Sequence, residues 1–174
     1  MPMRTIALGF CLALTGGNAV AESWTSSYTS HDYGKCRKAR PDDQGVSVHR
    51  CAGKAGIPVI WTAGDDSSSV DFSTRPIAET VSDKAGFFEA GRTIEWRGPR
   101  GSRPQAAILR YATGQNVGKL DGSRLVVYRL GSDGISCVIG SVDGRSRDAN
   151  AAARRLADEK AADFRCGQDR RVEE

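Results

Sequence analysis

The chain has 174 residues, of which 39% are hydrophobic and 26% are charged, and its formal net charge is +4. This length and apolar content suffice for one ordinary domain with its own core. The basic excess is mild and falls well short of the lysine and arginine density of a nucleic-acid-binding domain, so no specific nucleic-acid partner is expected.

Residues 1–21 have the design of a secretory signal peptide. Arg4 precedes an apolar run at 6–14, and small residues then end in Ala19-Val20-Ala21. This order of charge, apolar segment and cleavage site is typical of signal peptides. The apolar run is too short to span a bilayer as a helix. We therefore expect cleavage after Ala21, a periplasmic or secreted mature chain, and no membrane span in it.

Four cysteines follow this cleavage site: Cys36, Cys51, Cys137 and Cys166. An even number of cysteines in an oxidising compartment predicts two disulfides. Their wide spacing does not match the closely paired ligands of a zinc site. We favour the pairs Cys36–Cys51 and Cys137–Cys166 because each closes a modest local loop, although the other pairings stay open.

Alternation of apolar and polar residues predicts strands along most of the mature chain. After a polar, aromatic lead-in to Cys36 and a turn at 40–45, strands are expected at 46–52, 57–63, 70–73, 93–97, 105–113, 123–130 and 135–142. Residues 74–92 show no long period, and Phe87 and Phe88 are expected to anchor this crossover to the core. Short connections between successive strands favour an antiparallel meander.

Residues 148–164 are helical by composition, with Asp148 as the expected N-cap. Small residues, with Leu156 and Phe164, form a narrow apolar stripe that suits close packing on a sheet. Gly167 is expected to end the helix, and the tail 168–174 is expected to fray.

The predicted fold class is therefore α+β, with residues 22–167 as one globular domain. A curled antiparallel sheet of about six or seven strands should carry one C-terminal α-helix on its face, and two disulfides should hold the domain together.

No known catalytic motif occurs, so we expect a non-enzymatic protein without cofactor or metal. The alternative is an enzyme, and two residues could carry its activity. His49 lies two residues before Cys51 on one strand face, and this pair would be reactive only if Cys51 were a free thiol. Lys160 falls inside the helical stripe and would be reactive if burial lowered its pKa. The simpler interpretation is that its stem packs and its amine reaches solvent.

The glycine-rich loop at 97–104 carries Arg97, Arg100 and Arg103, which could grip phosphate or carboxylate groups of a partner. Arginines 110, 124 and 129 on nearby strands would extend a basic face. The alternative is a solvated hairpin loop that its charge keeps soluble.

Two other groups are predicted to be structural. The pairs Asp42-Asp43 and Asp65-Asp66 lie in turn segments, where aspartate commonly caps its own backbone. The aromatic residues are expected in the core or on sheet faces rather than on a ligand platform; they are Trp24, Tyr28, Tyr33, Trp61 and Trp96.

Several segments carry a resemblance to a known group: "GKC" (34–36), "HRCAGKAGIPV" (49–59), "TIEWR" (93–97) and the block 134–167. By these segments the chain resembles small exported four-cysteine proteins of rhizobial-type alphaproteobacteria, known as uncharacterised proteins. The spacing of the last two cysteines around a strand and a helix is the most specific part. The resemblance implies export and the four-cysteine framework, and it assigns no catalytic residue because the group has no established activity.

These features predict an exported, non-enzymatic binding domain of unknown partner, for which an envelope or host protein and an anionic polymer are the candidates. Small exported β domains include protease and lysozyme inhibitors, so inhibition of a hydrolase is a candidate by analogy of architecture. The alternatives are a small envelope enzyme that uses His49 or Lys160, and a structural envelope protein that binds an anionic polymer through the basic face.

Overall fold

The computed structural model describes residues 23–39, 46–73 and 85–174. The predicted signal peptide and the predicted turn at 40–45 lie outside these ranges, as does the part of the crossover at 74–84. The described residues form ten strands and one α-helix: β1 (Trp24–Ser30), β2 (Arg37–Lys38), β3 (Ser47–Ala52), β4 (Pro58–Gly64), β5 (Ser67–Asp71), β6 (Phe87–Pro99), β7 (Ala106–Gly114), β8 (Gly122–Leu130), β9 (Ser136–Asp143), α1 (Ala149–Lys160) and β10 (Val172–Glu173).

The α+β class with one helix is confirmed, but the strands are divided between two sheets instead of forming one. The large sheet has the order β1-β6-β7-β8-β9-β10, and the small sheet has the order β2-β3-β4-β5. Neighbouring strands are antiparallel, except that β10 runs parallel to β9. The predicted meander of the second half is the run from β6 to β9.

The main core fills the space between the two sheets. Alternate residues of β7, Ala107, Leu109 and Tyr111, belong to one buried cluster with Val59 of β4 and Val70 of β5. Tyr111 links the sheets directly, because its hydroxyl accepts a hydrogen bond of 2.9 Å from the backbone N–H of Val70. Complete burial raises the pKa of Tyr111 to about 12, so the group stays neutral in the core.

Helix α1 covers the opposite face of the large sheet. Ala106 and Ile108, which alternate with the core residues of β7, form a second buried cluster with Leu156 and Phe164. The buried stripe of α1 consists of Ala149, Ala152, Ala153, Leu156 and Ala157. Its small side chains let the helix lie close to the sheet, and the domain therefore has three layers.

The C-terminal end departs from the sequence prediction in two places. The helix ends at Lys160, and Gly167 lies in a later turn with a φ of 76°. Within the tail that was expected to fray, β10 pairs with β9, and the N–H of Glu174 donates to the carbonyl of Ser141 at 2.9 Å. The tail thus extends the large sheet by one short strand.

Both favoured disulfides are present. Cys36, which follows β1, is bonded to Cys51 of β3, with 5.0 Å between their Cα atoms. Cys137 of β9 is bonded to Cys166 beyond the helix, with 5.8 Å between their Cα atoms. The first bond ties the start of β2 to its neighbour β3 within the small sheet, and the second ties the segment after α1 to the large sheet. No helix among the described residues is long and apolar enough to cross a membrane.

We expect the double substitution Cys137→Ala/Cys166→Ala to lower the free energy of unfolding by about 2–4 kcal/mol, because it releases a loop-closing constraint on the unfolded chain. Urea unfolding of the mature protein measures this difference. Backbone amides of α1 should also exchange faster with solvent. An unchanged unfolding midpoint would show that the bond does not hold the helix to the sheet.

Candidate functional site

Arg97, a predicted partner contact, forms an ion pair with the helix. Its Nε and Nη2 atoms donate to the two carboxylate oxygens of Asp158 at 2.5 and 2.6 Å. Only 13% of the Arg97 side chain is exposed. A bidentate pair of this kind is among the stronger charge-assisted contacts. Arg97 therefore holds α1 against the large sheet, and its guanidinium is already engaged by Asp158.

A second bidentate pair lies beside the first. Arg154 of α1 donates to both carboxylate oxygens of Glu95, at 2.7 and 3.2 Å, and it also reaches the hydroxyl of Tyr28 at 3.0 Å. Ser26 of β1 joins the two pairs, because its hydroxyl bonds Glu95 and accepts from Arg97 at 2.8 Å. The polar side of α1 is thus bound to β1 and β6 by a connected network.

The other arginines do not form one basic face. Arg100 is exposed, whereas Arg103 donates to the carbonyl of Leu130 at 3.4 Å. The register of β7 and β8 pairs Arg110 with Leu125 and Tyr111 with Arg124. Since neighbours along a strand project to opposite faces, Arg110 and Arg124 lie on opposite faces of the sheet. Arg110 and Arg124 therefore cannot both extend one basic face from the loop.

Arg97→Ala and Asp158→Ala should each destabilise the protein, and a double-mutant cycle should give a coupling of about 1–3 kcal/mol, because each leaves a partly buried charge without its partner. Arg100→Ala is the matched control, and it should change the free energy of unfolding by less than about 0.5 kcal/mol. Equal effects of Arg97→Ala and Arg100→Ala would contradict the structural role of Arg97.

The residues proposed for catalysis are separated from reactive partners. Cys51 is bonded to Cys36, so His49 has no thiol beside it to activate. Lys160 lies exposed at the end of α1, where burial does not act on it. No group of three or more metal-ligating side chains occurs within the described ranges.

A row of aromatic rings runs from the end of β1 to the inner face of the small sheet. His31 stacks on Tyr33 with 6.0 Å between ring centroids, and Tyr33 stacks on Trp61 with 5.5 Å. Trp61 in turn meets the edge of His49 at 5.3 Å. The hydroxyl of Tyr33 donates to the carbonyl of Gly91 at 2.7 Å. This bond fixes the row to a bulge in β6, where the register shifts between Ala90 and Ile94.

The β3–β4 hairpin places His49 and Trp61 side by side. Their Cα atoms are register partners in the antiparallel pair. The connection between the strands contains Gly56 with a φ of 74°. It also contains Gly53, where a Cβ would lie 2.4 Å from the carbonyl oxygen of Ile57. Glycine is needed at both points, so the "GKAG" turn sets the register that brings the two rings together.

His31 forms the other end of the row and is 8% exposed. Its Nε2 atom lies 2.8 Å from the hydroxyl of Thr29, which also accepts a hydrogen bond from the indole N–H of Trp96 at 2.8 Å. The Thr29 hydroxyl thus links the His31 ring to the Trp96 indole. Burial lowers the pKa of His31 below 6.5, since the charged ring is less well solvated there.

The lowered pKa of His31 predicts a pH dependence of stability. Just below pH 6.5 the unfolded chain binds a proton at His31 while the folded protein does not. The free energy of unfolding is therefore at its full value above pH 6.5 and decreases as the pH falls towards the folded-state pKa. Urea unfolding at several pH values should show that acidification lowers the free energy of unfolding less for His31→Gln than for the wild type. Identical pH slopes would contradict this assignment.

Two adjoining clefts open on either side of Trp61. The first, which we call the edge cleft, has a volume of about 770 Å³, and Tyr28, Tyr33 and Arg92 contribute to its wall. The second, the acidic cleft, has a volume of about 940 Å³ and is bounded by the β4–β5 turn and by the β7–β8 loop. The two clefts share four lining residues: Gly34, Trp61, Ser68 and Glu89. We refer to them together as the joined cleft.

Two buried polar atoms at the joined cleft have no hydrogen-bond partner among the described residues: Nε1 of Trp61 and Nδ1 of His49. Leaving a buried polar group unpaired costs on the order of 1–3 kcal/mol. Such groups are rare in native proteins and often mark a functional position. Both atoms belong to the same aromatic row.

Trp61 packs against the main core, as the sequence predicts for a tryptophan in an apolar strand, but the sequence did not indicate that it also lines both clefts. One signal could have identified it. The short "GKAG" turn between the two predicted strands sets His49 opposite Trp61, which puts a titratable ring beside an aromatic one.

Comparisons with known proteins give no match to this chain, whether with family models, curated protein sequences or solved structures. The resemblance to the exported alphaproteobacterial group stays a prediction.

Proposed function

We propose that the protein is an exported, non-enzymatic binding domain that engages an envelope or host protein through the joined cleft. The observation that carries this proposal is Trp61, a half-buried tryptophan at the meeting point of two large clefts, with an unpaired indole N–H. Tryptophan is among the residues that dominate binding energy at protein interfaces.

The exposed apolar residues support the same surface. Only two large hydrophobic side chains in the described ranges are classed as exposed, Tyr28 at 55% and Val117 at 64%. Tyr28 lines the edge cleft. Val117 precedes Gly118, which lines the acidic cleft. Each cleft therefore has an exposed apolar side chain in its wall or next to a wall residue, as an interaction surface would.

The two disulfides support export, since such bonds persist in oxidising compartments. The predicted signal peptide supports the periplasm or the extracellular space as the location. The anionic-polymer alternative loses support because the arginines on which it depends are dispersed, and Arg97 is bound to Asp158.

Affinity capture with the mature protein (22–174) tests the proposal. Immobilised wild type is incubated with envelope extract and culture medium of the source cells, and quantitative mass spectrometry identifies the bound proteins. We expect a partner that the wild type retains and that Trp61→Ala retains at least about tenfold less, as expected for an interface hot spot.

Two further variants make the result specific. Val117→Ser changes a side chain that is 64% exposed, so it should preserve the fold and still weaken capture. Arg100→Ala should capture the partner as the wild type does. Binding through the joined cleft would be contradicted if Arg100→Ala were the one variant that loses the partner, or if every variant recovered the partner equally.

A further inference from the structure

The acidic cleft has a charge opposite to that of the whole chain. Three carboxylates line it, those of Asp65, Asp66 and Glu89, and no lysine or arginine is among its described lining residues. None of the three pairs with a basic side chain within the described ranges. The chain as a whole carries a net charge of +4. A concave negative site on a positive protein attracts cations locally.

The backbone holds two of these carboxylates at the cleft. Gly64 and Ser67 are the last register pair of β4 and β5, so Asp65 and Asp66 form a two-residue hairpin loop. Their φ angles are 41° and 62°, the left-handed values of a type I′ turn. Asparagine also accepts this conformation. The two charges can therefore be removed while the turn is kept.

The wall of the acidic cleft adds an aromatic surface to these charges. Trp61 and His49 line the same cleft as the carboxylates, and the Trp61 side chain lines the edge cleft as well. Tryptophan is the best ring for a cation–π contact with an ammonium or guanidinium group. Carboxylates supply charge-assisted acceptors for the N–H donors of the same group.

We propose that the acidic cleft binds a lysine or arginine side chain on an extended segment of the partner protein. This inference rests on the proposed function and specifies the chemistry of the partner. Each of the two clefts has the volume of a whole small-molecule site. Their continuity, with an exposed apolar residue in or next to the wall of each, fits a polypeptide segment better than a free amine.

The test uses a penta-lysine peptide capped at both ends, titrated into ¹⁵N-labelled mature protein and followed by NMR. The indole N–H signal of Trp61 should shift and saturate. The indole N–H of Trp96 is bonded to Thr29 and its residue is 1% exposed, so its signal should stay in place as an internal reference. A capped penta-glutamate peptide should leave the Trp61 signal unchanged.

Charge-neutralised variants locate the binding. Asp65→Asn/Asp66→Asn/Glu89→Gln should bind penta-lysine at least about tenfold more weakly, because the acceptor charges are lost. Glu89→Gln alone, which leaves the turn untouched, should weaken binding by a smaller factor. The matched control, Glu159→Gln/Asp163→Asn/Glu174→Gln, removes three charges from exposed positions elsewhere and should bind as the wild type does.

Three results would overturn the inference. The Trp61 indole signal does not shift with penta-lysine, or both triple variants bind the peptide equally weakly. In the third, n-butylamine saturates the Trp61 shift at the same concentration as the peptide, which would indicate a site for a free amine. If penta-lysine fails while Trp61-dependent capture of a partner persists, the proposed function stands and only the cationic chemistry is wrong. If penta-lysine binds at Trp61 but no partner is captured through it, the proposed function fails instead.

Discussion

The hydrogen bond from Tyr33 to Gly91 is the contact on which the geometry of the site depends. It fixes the chain just after β1 to the bulge of β6, and the Tyr33 ring then lies flat against Trp61 of the small sheet. Three residues later, Cys36 is bonded to β3. Tyr33 thus sets the position of the small sheet relative to the large one at the point where the joined cleft opens.

On the opposite face of the large sheet, ion pairs rather than aromatic contacts position the helix. The alanine-rich stripe of α1 lets the helix approach closely, but such small side chains bury little apolar area. Two arginine–carboxylate pairs, Arg97 with Asp158 and Arg154 with Glu95, add directional contacts, and the bond of Cys137 to Cys166 closes the end. The helix layer is therefore stabilising, and the binding surface that we propose lies on the other sheet and along the edge.

Sequence patterning predicted the parts of the fold in which local rules agree. The strands from β7 to β9 alternate and carry β-forming residues, and the cysteine spacing favoured both disulfides. It did not show β1, since "WTSSYTS" is mostly serine and threonine and pairs only as an edge strand. It did not show the start of β6, where the bulge at Gly91 breaks the alternation. It did not show the bond between Arg97 and Asp158, because these residues are 61 positions apart in the chain and no local pattern reveals such a pair.

Site-specific photo-crosslinking in the source cells tests the central claim, that the partner lies in the joined cleft, most directly. Val117 at the rim and Arg100 on the distant loop are both exposed, so benzoylphenylalanine can replace either without disturbing the core. Binding in the cleft predicts a single covalent adduct from position 117 and none from position 100. An adduct from position 100 with none from position 117 would contradict it.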